Sequence, residues 1–352
     1  MRIAVLFHKD PFAPPKGIDL VRLRAISAGL VRRGVVAEIV SPLPREGVIE
    51  GVVPVRSLGR LREPGRYDLV KTCYHDSIQL VDGYDGPVVS RIVRVVDEEL
   101  PERDEPFRAK LLSCQDMISK RASVVVVNNA ENAQRWRLRY GDAPRVVLVP
   151  TGCPSVIPGP RKNPYPEGEP VVLFLGSVAA ARMREMLKMA AHRLRGLARI
   201  HLVGKNKVAM YSGAAEDALD PLITDHGELP AGEVWDYVFH ADIGLALATG
   251  PHRFDNDISK ILYYLRGGLP VLSEEPIVNN DLIEETGFGR VFRYSDPDDL
   301  ARQAQQLLDN PLSHIRPGVM AFMAREHSWE RRVSTYEDLF RRLVPGSFPR
   351  YG

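Results

Sequence analysis

Apolar residues are arranged along the chain in two alternating patterns. A continuous apolar run at residues 3–7 is followed by residues 18–33, where Leu20, Leu23, Ile26 and Leu30 recur at helical spacing, and then by a second run at 35–40. Buried strand, amphipathic helix and buried strand make a βαβ unit. Further runs at 68–72, 87–89 and 124–127 extend it into a doubly wound parallel sheet. Prolines at 150, 154, 158, 160, 164, 166 and 170 then break every periodic pattern, so residues 156–170 read as a linker. The same order restarts behind them, with a strand at 171–176, a helix at 182–195 and a strand at 199–204. A helix ending at Phe239 and a strand at 240–246 follow. The predicted class is α/β, with two Rossmann-like domains facing each other across a cleft: residues 1–155, the linker, residues 171–327, and a closing helical segment at 328–352.

One stretch, residues 255–271, reads as loop, helix, turn and strand. Ile258, Ile261, Leu262 and Leu265 fall at i, i+3, i+4 and i+7 and form one apolar stripe. Asp257 is the expected N-cap. Gly267 and Gly268 end the helix with residues that tolerate positive φ, and Pro270-Val271-Leu272 reopens an extended segment. Lys260, Tyr263, Tyr264 and Gly267 share the other face. A helix start with its unpaired N–H groups, and a lysine beside them, suits a phosphate. The competing reading is a solvated lysine with half-buried, packing tyrosines.

Charge and composition narrow the partner. Forty-seven basic against 45 acidic residues, net +2, argue against a nucleic-acid binder and for a small molecule. Residues 91–121 look basic, yet their seven Lys/Arg are matched by seven Asp/Glu, which predicts a mixed charged face. Cys73, Cys114 and Cys153 are far apart and form no CxxC, so neither a zinc site nor a disulfide framework is expected, and a reducing cytoplasm fits. No run reaches the length of a membrane span, and no signal peptide is expected.

The run at 259–271 resembles the "K-x-x-E-Y-L-A-x-G-x-P-V" segment of nucleotide-sugar glycosyltransferases with the GT-B fold, those of the retaining family 4 in particular. Gly17-Ile18-Asp19 with Leu30 to Val40 is similar to the opening of that family, although Val35 stands where a histidine is usual. Pro150-Thr151-Gly152 resembles its interdomain crossing, Ala241-Asp242-Ile243-Gly244 a strand of its second domain, and His327-Ser328-Trp329-Glu330 its closing helix. The resemblance implies an acceptor-binding first domain, a nucleotide-sugar-binding second domain, and a C-terminal helix that crosses back to the first domain.

It also implies a site. The family holds the donor diphosphate with a basic pair, here Arg182, six residues past Gly176, and Lys260; Ser177 stands where an arginine is frequent. Of its two carboxylates eight residues apart, Asp255 occupies the hexose position, whereas Tyr263 replaces the ribose-binding residue with a single hydroxyl. The residues expected to hold the donor are Gly176, Ser177, Arg182, Lys205, Asp255, Asp257, Lys260, Tyr263 and Tyr264. Asp255-Asn256-Asp257 spells D-x-D, but its place before a helix argues against a metal, and none is expected. His8, Asp10, Asp19, His75 and Asp76 lie where a general base would stand, with His75 and Asp19 the candidates if the reaction inverts. The expected activity is metal-independent transfer of a sugar from a nucleoside diphosphate, of UDP or GDP type, to a saccharide, lipid-linked or small-molecule acceptor, with retention. No other cofactor is expected, and peripheral membrane contact is compatible with this reading. Its alternatives are a catalytically silent binding subunit and a nucleotide-sugar epimerase.

Overall fold

A computed structural model describes residues 1–14, 17–43, 45–97, 105–178, 180–207 and 219–346; part of the stretch 91–121 is outside these. The chain divides into two compact units, Met1–Gly152 with Trp329–Gly352, and Cys153–Ser328.

The first unit is built on eight strands, β1 (Arg2–Leu6), β2 (Val36–Ser41), β3 (Gly47–Ile49), β4 (Val53–Ser57), β5 (Leu69–Thr72), β6 (Val88–Arg91), β7 (Val124–Val127) and β8 (Arg145–Leu148). Their order is β3-β4-β2-β1-β5-β6-β7-β8, and only β3 pairs antiparallel. The central strands are buried on both faces, as a parallel sheet covered by helices requires. Helix Ile18–Arg32 covers one face. The last described helix, Trp329–Leu343, lies against it: a Cβ on Gly29 would stand 2.5 Å from Val333 Cγ2. The buried Arg332 ties that helix to Thr151 by donating to its carbonyl at 3.3 Å. The helix Trp329–Leu343 therefore belongs to the first unit, as the resemblance implied.

The second unit holds six strands, β9 (Val171–Leu175), β10 (Arg199–Val203), β11 (Ile223–Asp225), β12 (Ile243–Ala246), β13 (Val271–Glu274) and β14 (Gly289–Phe292). They run parallel in the order β11-β10-β9-β12-β13-β14. The proline-rich segment is bound into this unit: Arg266 donates to the Pro154 carbonyl at 3.0 Å, and the Tyr165 hydroxyl to the Tyr237 carbonyl at 2.9 Å.

The stretch at 255–271 does form loop, helix, turn and strand, with three differences. The helix is Lys260–Gly267, so Asp257 is not its N-cap; Ser259 is, without a side-chain cap bond, and the Asp257 carboxylate accepts instead from Asn279 Nδ2 at 3.1 Å. Only Gly268 takes positive φ, at 70°, while Gly267 stays helical and is a glycine for room, since a Cβ there would meet Val238 at 2.3 Å. Tyr264 is wholly buried rather than on the polar face. Its hydroxyl accepts from the Leu175 amide at 2.7 Å and lies 3.0 Å from the Leu173 carbonyl and 3.2 Å from that of Leu245, bridging β9 and β12 from the helix. The ring lies over Gly244, where any Cβ would come within 2.5 Å of it. Tyr264 thus belongs to the core and cannot touch a nucleotide.

Among the described residues no helix is long and apolar enough to cross a membrane.

Tyr264→Phe should keep the fold and lower its stability by about 1–3 kcal/mol, since it strands the Leu175 amide. Urea unfolding of the purified protein measures this; an unchanged midpoint would show that the hydroxyl contributes nothing.

Candidate functional site

The C-terminal edge of the six-stranded sheet is shaped by two glycines. Gly176, at φ 107°, turns the chain out of β9, and Gly204, at φ 157°, out of β10. A Cβ on Gly204 would lie 2.0 Å from the Gly176 carbonyl oxygen, so the two strand ends can approach this closely only with a glycine at 204. Beyond them the loops pair, Val178 N–H to the Lys205 carbonyl at 3.0 Å and Lys207 N–H to the Val178 carbonyl at 2.8 Å. Half-buried Ser177 and exposed Lys205 are thereby held on neighbouring loop segments, at the edge where parallel sheets bind ligands.

Lys260 opens its helix beside this cradle. Its Nζ stands 3.4 Å from the centroid of the Phe174 ring, and its Nζ and Cε are 3.9 and 3.8 Å from where a Gly176 Cβ would be. Burial lowers its pKa from 10.5 to about 7 with no acidic neighbour to oppose the shift. Among the described residues no carboxylate pairs with it. The backbone amides of the same turn are less available than a bare helix start would suggest, because Ile261 N–H bonds the Ile258 carbonyl and Leu262 N–H that of Ser259. The ammonium, rather than the amides, is what this helix start offers an anion.

Arg182 is placed differently from its sequence-based role. Glu274, at the end of β13 and with no exposed surface, accepts the Ala248 amide at 2.9 Å, the Ser295 amide at 2.8 Å and both terminal nitrogens of Arg182. The remaining Arg182 donors reach the Ala248 carbonyl at 2.7 Å and the Ser295 hydroxyl at 3.3 and 3.1 Å, and the guanidinium lies 4.1 Å from the Tyr294 ring centroid. All five N–H groups have acceptors, and the charge is neutralised. Arg182 is therefore a strut across the ends of β12, β13 and β14, and the assignment of a phosphate to it is corrected.

The triplet 255–257 is organised around its middle residue. Buried Asn256 accepts from the Thr249 amide at 2.7 Å and the Thr249 hydroxyl at 2.8 Å, and donates to the Gly250 and His252 carbonyls, both at 2.8 Å. Asn279 fixes the next residues, accepting the Ile258 amide at 2.6 Å. Asp255 is half-buried at the end of the turn Arg253–Asp255. Among the described residues no cluster of three or more His, Cys, Asp or Glu could hold a metal ion. Tyr263 is half-buried, its ring stacked on Trp235 at 5.5 Å and 24°.

In the first unit, His75 is buried, its Nε2 3.0 Å from the Arg94 carbonyl, and burial lowers its pKa to about 4. A sequestered imidazole that stays neutral to such acidity is not a general base for a substrate hydroxyl, so His75 is withdrawn from that role. Asp19 is half-buried in the first turn of Ile18–Arg32, 3.7 Å from Lys9 Nζ.

Glu274 and Asn279 carry no sequence signal because each acts on backbone groups more than twenty residues away, and no spacing marks such contacts; Asn256 acts within its own loop, on residues four to seven positions back, in a pattern that no regular period marks. Arg182→Ala should cost about 3–5 kcal/mol, the expectation for a buried pair broken from one side, whereas a solvated phosphate ligand would cost almost nothing. Thermal and urea unfolding decide between the two.

No protein-family model matches the chain. Among curated proteins, the D-inositol 3-phosphate glycosyltransferase of Nocardiopsis dassonvillei is 26% identical over 210 residues, which cover 53% of this chain and 48% of that protein. The matched region thus spans about half the length of that relative. Among solved structures, sucrose-phosphate synthase from Thermosynechococcus elongatus superposes with a TM-score of 0.77 at 16% identity, over 99% of this chain and 100% of that one. HepE of Anabaena, solved with UDP and glucose, gives 0.75 at 14% identity, over 97% and 100%. WaaG, a glycosyltransferase involved in lipopolysaccharide biosynthesis, gives 0.67 at 15% identity, over 98% and 100%. The chain has the GT-B fold of these proteins, two Rossmann-like α/β units with the C-terminal helix returned to the first.

Proposed function

We propose that the protein is a glycosyltransferase that moves a sugar from a nucleoside diphosphate of UDP or GDP type to an acceptor hydroxyl. The observation that carries this reading is the Lys260 ammonium, desolvated beside the Gly176 turn and lacking a carboxylate. Such a charge is costly until an anion arrives, and a diphosphate is the anion this sheet edge suits. HepE, the neighbour solved with UDP and glucose, supports that choice of ligand.

In the proposed reaction the bond from the anomeric carbon to the diphosphate oxygen breaks, and one from that carbon to the acceptor oxygen forms. Lys260 stabilises the charge developing on the departing diphosphate, in the part a metal ion plays elsewhere. The acceptor proton passes to a phosphate oxygen of the leaving group, which is the route to retention. The burial of His75 favours this route, since it leaves Asp19 as the base that inversion would need. Gly176, Ser177, Lys205, Asp255, Asp257 and Tyr263 remain the proposed donor contacts beside Lys260. Tyr263, stacked on Trp235, would offer its edge and hydroxyl in place of a carboxylate. No disulfide joins the buried cysteines at 73, 114 and 153, which is compatible with a reducing cytoplasm.

UDP or GDP should raise the melting temperature, and Lys260→Met should weaken that nucleotide by about 1.5–3 kcal/mol, the range for a charged hydrogen bond. Lys260→Met should itself melt higher than the parent without ligand, because it removes an uncompensated cation. No response to any nucleotide would instead support a silent binding subunit.

Proton linkage gives a second test. Because the free ammonium has a pKa of about 7, it is mostly neutral at pH 8, and a bound diphosphate must recharge it. Binding at pH 8 should take up most of a proton, and less as the pH falls towards 6.5. Calorimetry in buffers of different ionisation enthalpy reads this, and Lys260→Met should abolish it. The same sign governs stability: the unfolded chain binds this proton more tightly, so the advantage of Lys260→Met should be full below about pH 7, shrink as the pH rises, and vanish above the ordinary lysine value of 10.5.

A further inference from the structure

The first unit contains two charges that no carboxylate among its described residues pairs with. Lys71 in β5 and Arg91 at the end of β6 are 3% and 1% exposed. Their strands are neighbours, with Lys71 opposite Val89. Alternation along the strands then puts Lys71 and Arg91 on one face of the sheet, the face that Leu69, Cys73 and Val89 share with Leu23 and Ile26 of helix Ile18–Arg32. Both are charged where the pattern calls for an apolar side chain. Arg91 makes no side-chain hydrogen bond or ion pair among the described residues, and its Nη1 is buried without a partner. Among the described residues Lys71 Nζ finds the Cys73 sulfur at 3.7 Å and the face of Tyr336 at 5.0 Å. Sequence reading placed Arg91 on a mixed charged face; the structure corrects this.

The two side chains line one small cavity together with Asp19, Arg22 and Ser27. The Ser27 hydroxyl is also buried without a partner. Three cations thus stand in the wall against one carboxylate, and that carboxylate faces Lys9 at 3.7 Å. The free space is about 10 Å³, the room of a single water, which one oxygen of an anionic group would fill. A guanidinium cannot give up its proton to escape burial. What would compensate it is an oxygen anion entering from outside.

We propose that this cavity receives one oxygen of an oxyanion, a phosphate or carboxylate carried by the acceptor, with Arg91 and Lys71 as its counter-charges and the Ser27 hydroxyl as a further donor. The word acceptor rests on the transferase reading above; the anion site itself does not.

The test uses the full chain carrying Lys260→Met, so that the diphosphate cradle does not respond, with inorganic phosphate and acetate as separate probes at constant ionic strength. At least one anion should raise the melting temperature. Adding Arg91→Met should abolish that response and leave the unliganded melting temperature equal or higher, and Lys71→Met should shrink the response. Arg91→Lys, which keeps the charge but loses the fork, should weaken binding roughly tenfold, and it serves as well if the methionine variant does not fold. Response to phosphate alone would indicate a phosphorylated acceptor, and to acetate alone an acid. No response to either, or one that Arg91 variants leave unchanged, overturns the proposal. UDP binding to the parent is read separately, so the anion site and the donor reading can fail independently.

Discussion

A carboxylate with no exposed surface fixes the working edge of the six-stranded sheet. Glu274 ends β13 inside the protein and is satisfied from four directions, by two backbone amides that belong to other strand ends and by the fork of Arg182. An ion in that position is tolerable only with every lone pair used, so the loops after β12 and β14 are held where their amides point at it. Ser295 accepts a positive φ of 57° to do so, a conformation that non-glycine residues adopt only when the surroundings determine it. The Asn256 amide does for the loop at 249–256 what Glu274 does for its neighbours. Together they make a rigid platform from which Lys260 projects beside the Gly176 turn.

The platform also decides which cation is available. Arg182 and Lys260 stand at two helix starts of one unit and look alike in sequence. One is consumed by a buried partner and contributes geometry. The other has an aromatic face and no carboxylate, and contributes charge. Burial separates them further, since an ammonium can shed its proton when desolvated and a guanidinium cannot. The lysine can thus stay partly neutral until an anion arrives.

The sequence revealed the fold more fully than the site, for a physical reason. Runs such as Val124–Val127, and the alternation of such runs with helical spacing, follow from burial, which local sequence encodes; the strands and helices read from them are present, whereas the shorter or outer strands β3, β4, β8, β11 and β14 are additional to them. The glycine at 176 and the lysine at 260 were legible because strand-end turns and helix starts carry local signals. Tyr264 was misplaced because a hydroxyl signals polarity while its ring signals burial, and three backbone groups of β9 and β12 settled the contest in favour of the core. His75 and Arg182 were misread for the complementary reason. Each has the right chemistry at the right end of a strand or helix, but the partners that engage them, the Arg94 carbonyl and Glu274, lie 19 and 92 residues away, and no periodicity reports contacts at that range.

The desolvated cations of the two units share an energetic logic. Lys71 and Arg91 occupy strand positions that valine or leucine would fill more stably, and the half-buried Lys260 opens a helix whose buried positions are mostly apolar. A chain selected for stability alone would replace all three, since removing an uncompensated charge from an interior is favourable. Their retention is understandable if the missing anions come from outside, because binding energy then includes the relief of a cost already present in the free protein. Such a protein is less stable empty than it could be and gains more on binding than its contacts alone would give. Charge without a carboxylate partner among the described residues, beside a carboxylate–guanidinium pair as fully satisfied as Glu274 and Arg182, is therefore the feature of this molecule that most directly links its folding to its ligands.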